Sequence, residues 1–159
     1  MNQLQTSRRL AVIASLVEGN SINATCRMTG VAKHTVRKLL KDLGCAAATY
    51  HDEHVRNQRV RHIQYDEIWA FVYAKAKNVA PDKMPAGAGD VWTWTAIDAD
   101  TKLIVSYMLG DRGAATAMTF IEDLASRLAT RIQFTTYGHR FMPILWKVRL
   151  ERMWTMPCW

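Results

Sequence analysis

A chain of 159 residues, 49% hydrophobic and 22% charged, holds one mid-sized core or a small domain joined to a modest one, and excludes two large domains. Its formal charge of +7 favours polyanionic partners such as nucleic acid or an acidic membrane surface. No apolar run reaches the roughly 18 residues of a membrane span and no signal-peptide pattern opens the chain, so the expectation is a cytoplasmic protein with no membrane partner.

The charge is unevenly placed: residues 1–44 carry +5, residues 45–137 carry −1 and residues 138–159 carry +3. Cys26, Cys45 and Cys158 are odd in number and far apart, with no CxxC spacing, which points away from a disulfide framework or a zinc knuckle.

The first basic segment reads as three helices. Apolar residues recur at helical spacing from Ser7, and Gly19-Asn20 stops the run; Ser21 caps a second helix to about Met28; Thr29-Gly30-Val31-Ala32 turns the chain; a third helix runs from about Lys33 to Leu43 and is ended by Gly44. A small residue at Cys26, a glycine four positions on, and apolar Val31, Val36 and Leu39 fit a helix-turn-helix, in which Gly supplies the left-handed backbone of the turn. The outward face of the third helix then offers Lys33, His34, Thr35, Arg37, Lys38 and Lys41 to the phosphates and base edges of double-stranded DNA. The domain assignment is 1–44 for this module, 45–59 for a linker helix, 60–138 for a sheet domain and 139–159 for a divergent tail.

His51-Asp52-Glu53-His54 in the linker reads as an exposed polar patch rather than a metal site. After it, residues 61–72 form a β-branched and aromatic run with Asp66-Glu67 in its middle, which suits a central strand covered on both faces and carrying a carboxylate; Asp66 then has a partner or a metal, or else the strand end is wet and Asp66 is solvated there. Residues 80–90 hold two Pro and two Gly and read as a loop. Val91–Asp98 and Lys102–Leu109 form an antiparallel hairpin, with Asp98 and Asp100 as turn formers. A helix over residues 114–129 presents Ala117, Met118, Ile121, Leu124, Ala125 and Leu128 on one face, with Glu122, Asp123 and Arg127 elsewhere. Residues 131–136 are a short fourth strand, returning parallel beside the first and bringing Tyr137 near Asp66.

The order of strand, hairpin, helix and strand, with a carboxylate on the first strand, matches the opening half of a ribonuclease H-like fold. The fold class expected is therefore mixed α and β: an N-terminal helix-turn-helix followed by an incomplete ribonuclease H-like domain. Ile63-Gln64-Tyr65-Asp66-Glu67-Ile68-Trp69, the run 89–102 and Thr135-Thr136-x-Gly138-His139 resemble the bacterial insertion-sequence transposases of the smallest, "number one" type. That resemblance, from about residue 3 to His139, implies DDE-type DNA transposition, in which three acidic residues hold two divalent ions, usually Mg²⁺, for attack on a DNA phosphodiester.

On the resemblance, Asp66 is the first acid and a metal ligand, Tyr137 stands at the second acid position, and the third acid belongs to a helix downstream of residue 159. The likeness stops at His139, where three Trp, three Met and two Pro follow without a period. A shifted reading frame accounts for both features, and so does a divergent peptide. The expected partners are insertion-sequence ends and either further copies of the chain or a full-length transposase, which the chain would then inhibit in trans. A metal-dependent nuclease using Asp66, Glu67 and Asp98 is the remaining alternative.

Overall fold

The N-terminal helical spacing produces α1 (Thr6–Val17), α2 (Ile22–Thr29) and α3 (Lys33–His54). Val12, Val31 and Val36 form their small core, with Leu16, Ile22, Cys26 and Leu39 packed around it. Inside it the Ser15 and Thr25 hydroxyls share a buried 3.0 Å hydrogen bond, so neither polar group is stranded. The Ser21 side chain accepts from the Ala24 N–H and caps α2, while Gly30 (φ 66°) closes it in the left-handed region and donates its N–H to the Cys26 carbonyl.

Gly44 does not end the third helix. α3 is 22 residues long and runs through Gly44 into the predicted linker helix as far as His54. A glycine inside a helix costs about 1 kcal/mol relative to alanine, and Cys45-Ala46-Ala47-Ala48 beyond it contains three of the strongest helix formers, with no proline to stop propagation.

The computed structural model describes residues 4–78 and 85–136, and the chain divides into two units, Met1–His54 and Val55–Trp159. In the second unit β1 (His62–Val72), β2 (Gly89–Asp98), β3 (Ile104–Gly110) and β4 (Gln133–Thr136) form one sheet in the order β3-β2-β1-β4. The β1–β2 and β2–β3 pairs are antiparallel, and β4 lies parallel to β1 with His62 opposite Gln133 and Tyr65 opposite Thr136. Tyr137 and the segment 138–159 lie outside the described residues. The chain is a mixed α/β protein, and among the described residues no helix is long and apolar enough to cross a membrane.

Among the described residues one α-helix, α4 (Ala114–Arg127), packs on the sheet. Its buried apolar positions are Ala117, Phe120, Ile121, Leu124 and Ala125, the i, i+3, i+4, i+7, i+8 stripe of one face. Met118, expected in that stripe, is 36% exposed, and Phe120 occupies the central place instead. Arg127, expected outside the core, is buried and held by Asp123 through Nε–Oδ2 and Nη2–Oδ1 contacts of 2.7 and 2.9 Å, with Nη1 donating to the Val55 carbonyl. Gln58 exchanges backbone hydrogen bonds with Arg127 and Ala129, tying the segment before β1 to the end of α4.

The expectation that β1 is covered on both faces is corrected. Ile63 and Tyr65 are buried beneath α4, where the rings of Tyr65, Trp94 and Phe120 meet at centroid distances of 5.6–5.9 Å. Gln64, Asp66, Ile68, Ala70 and Val72, on the opposite face, are all exposed. Alternation puts apolar residues on both sides of β1, but among the described residues α4 is the one α-helix of this unit, and it covers only one side.

Candidate functional site

Two groups of side chains are candidates, one in each unit. In the first, α3 turns Val36 and Leu39 to the core, so the intervening Lys33, His34, Arg37, Lys38 and Lys41 are exposed. Thr35 is half-buried and its hydroxyl lies 3.1 Å from His34 Nε2, which makes it less available than its neighbours.

Lys33, Arg37 and Lys41 stand at i, i+4 and i+8 and span about 12 Å of helix axis at 1.5 Å per residue. Duplex DNA carries one charge per about 1.7 Å of its axis with both strands counted, so a stretch of that length holds roughly seven phosphates, of which one helix face meets a part. The first turn of α3 holds no acidic residue, and its earliest hydrogen bonds end on the Ala32 carbonyl, whose methyl side chain caps nothing. Cations at a helix N-terminus oppose the macrodipole, each by about 0.3–1 kcal/mol. The arrangement is therefore unfavourable for the isolated helix and favourable for one lying against an anion.

The second group is the acidic one, and its members do not converge. Asp66 is exposed on the open face of the sheet, with Oδ1 accepting from the Glu67 N–H at 2.8 Å. Glu67 points to the α4 side, its side chain 5% exposed; it accepts from the Tyr65 hydroxyl and from Arg112 Nε at 2.6 Å. Burial, and then that bond to Glu67, raise the Tyr65 phenol far above its ordinary value, so it remains a donor.

Asp98 is buried in the β2–β3 turn, accepting from the Thr101 hydroxyl and from the Asp100 N–H. The Thr101 bond, followed by the backbone ones, holds its carboxyl below the usual range against the effect of burial. In the β1–β2 register Asp98 stands opposite Ile63 and Glu67 opposite Trp94, four residues apart along the strand or about 13 Å. Asp66 looks out of the other face, so a shared ion among Asp66, Glu67 and Asp98 is geometrically barred. Among the described residues no group of three or more His, Cys, Asp or Glu side chains is placed to hold a metal, His51–His54 included. The described residues therefore do not fit a two-metal centre, and the second acid position, Tyr137, lies outside them.

No family model matches this chain, and no curated protein matches its sequence.

Arg112 was missed in the sequence. It stands in the short connection before α4, with its guanidinium 4.8 Å from the centre of the Trp92 ring while it pairs with Glu67. A partner 45 residues away leaves no local signal, and an arginine beside Gly113 reads as an ordinary loop residue.

Proposed function

We propose that the chain is a DNA-binding protein of a bacterial insertion sequence. On this reading α2 and α3 act as a helix-turn-helix, and the sheet unit is a ribonuclease H-like domain in which the described acids Asp66, Glu67 and Asp98 do not converge on one metal site. The observation that supports it best is the exposed row Lys33, Arg37 and Lys41, flanked by His34 and Lys38, on a helix whose opposite side is buried against α1 and α2. The αL turn at Gly30 and the packing of Cys26 support the same reading.

Binding by such a face is dominated by phosphate neutralisation and the counterions it releases, so affinity for duplex DNA should fall steeply with salt. Reversing two charges, as in Arg37→Glu with Lys38→Glu, removes two cations and adds two repulsions. Full-length protein carrying both changes should lose duplex binding in a titration at low salt, with its melting temperature retained. Binding that survives unaltered overturns the role of α3.

A second reading, a regulator that occupies the element ends and thereby inhibits an intact transposase, is favoured by the separation of Asp66, Glu67 and Asp98. It predicts that adding this chain to an active transposase slows strand transfer, and that the doubly reversed α3 variant does not. Tyr137→Asp alone should restore no cleavage or joining, because it leaves Asp66 on one face of the sheet and Glu67 and Asp98 apart on the other.

A further inference from the structure

Beyond the N-terminal end of α4 the sheet continues, and its α4-side face there is aromatic. Trp69 and Trp92 are cross-strand partners on β1 and β2, and Phe71 lies one step further along β1, its ring 5.8 Å from that of Trp69. Trp69 and Phe71 are 39% and 47% exposed, although the same face is fully buried at Ile63.

Each indole carries a cation. Lys75 Nζ sits 4.9 Å from the Trp69 ring centre, and the Arg112 guanidinium 4.8 Å from that of Trp92. Lys77 follows in a short 3-10 helix, Ala76–Asn78. The acids nearby are engaged: Glu67 is bonded by Arg112, and Asp90 Oδ1 accepts from the Ala76 N–H at 3.1 Å. A surface meant for an apolar protein partner gains nothing from ammonium and guanidinium groups over its rings, whereas flat rings interleaved with cations match a strand of bases joined by phosphates.

We propose that this end of the sheet is a stacking platform for single-stranded DNA, with Trp69 and Phe71 taking unpaired bases and Lys75 and Lys77 the phosphates. The choice of DNA over RNA rests on the duplex-binding role of α3; the stacking does not. A base stacks on the exposed face of Trp69 by displacing Lys75 Nζ, which then turns to the adjoining phosphate. Since every base has a π face, the platform is tolerant of sequence. It is distinct from α3, which lies in the other unit and carries no Trp, Tyr or Phe between Lys33 and Lys41.

The test uses the full chain and fluorescence anisotropy of a short labelled oligothymidylate, an oligouridylate and a duplex. Phe71→Ala and Trp69→Leu should each weaken oligothymidylate binding about tenfold, as loss of one base–ring stack does, and leave duplex binding unchanged. Lys75→Glu, which removes no ring, should weaken it too and lower its salt dependence. The Arg37→Glu and Lys38→Glu double variant should show the reverse pattern. If the two ring variants bind oligothymidylate as the parent does, the platform is wrong. If the α3 variant loses both ligands, the single strand binds α3 instead, and the proposal falls. Ring-dependent binding of oligouridylate by a chain that binds no duplex would overturn the choice of DNA, and the α3 reading separately.

Discussion

The two faces of β1 are nearly equal in apolar content and opposite in fate. On one, Ile63 and Tyr65 are sealed under Phe120, and the only carboxylate, Glu67, is enclosed with a cation and a hydroxyl supplied by other residues. On the other, Ile68 and Val72 are 56% and 50% exposed, and the exposed Asp66 carboxylate accepts from its neighbour's amide, the N–H of Glu67. Hydrophobic alternation along a strand records which residues are able to face a core. Whether a core forms there depends on a covering element that the strand does not encode.

The comparison is broken most severely at Phe120. Phe120→Ala opens a cavity between the Trp94 and Tyr65 rings and should cost about 3–5 kcal/mol in chemical denaturation, whereas Ile68→Ala on the open face should stay within about 1 kcal/mol. Comparable losses at the two sites would mean that the open face is covered after all.

A smaller difference separates adjacent carboxylates. Glu67→Ala strips Arg112 of its ion pair and Tyr65 of one acceptor and should cost about 1–3 kcal/mol, while Asp66→Ala should change stability by no more than about 0.5 kcal/mol. Equal effects would sink the distinction between a structural and a solvated acid.

The smallest effect is a pH dependence on the covered side. Burial pushes Asp123 up, but hydrogen bonds from Arg127 and Ser106 outweigh it and leave its carboxyl below the usual value; Asp98 is lowered by Thr101. Both folded values lie below the unfolded reference near 3.9, so the stability these groups contribute is complete above about pH 4 and is lost as pH falls through the folded values. Melting temperatures measured from about pH 6 downward should therefore drop below pH 4, and Asp123→Asn should flatten that fall. An unchanged profile in Asp123→Asn would remove the carboxylate from the account.

Local patterns foretold much of this architecture. Ser21 and Gly30 bracket α2 through their own backbone chemistry, and the Asp98–Lys102 turn and the parallel return of β4 follow from turn residues and connection handedness. What escaped was decided at a distance or by competition. Gly44 resembles a helix stop until its alanine-rich sequel is weighed, Arg127 resembles a surface residue until Asp123 and the Val55 carbonyl are placed around it, and Arg112 is legible only once β2 and β3 bring it over Trp92. Among the candidate site residues, the exposed positions on α3 could be counted off from Val36 and Leu39. The divergence of Asp66, Glu67 and Asp98 required the strand register.

The parallel pairing of β1 with β4 also imposes an order in time. His62 meets Gln133 only after the whole hairpin and α4 have been made, whereas α1 to α3 and the β1–β2–β3 ladder close over short stretches of chain. Contacts between distant positions are the slowest to form, and a ribosome adds only about 5–20 residues each second. For several seconds of synthesis, then, the edge of β1 that β4 will occupy shows unpaired amides and carbonyls, on the strand whose other face is already apolar. The nascent chain is most exposed to mispairing with its neighbours on the same messenger during that interval, and slower translation between residues 100 and 133 would lengthen it.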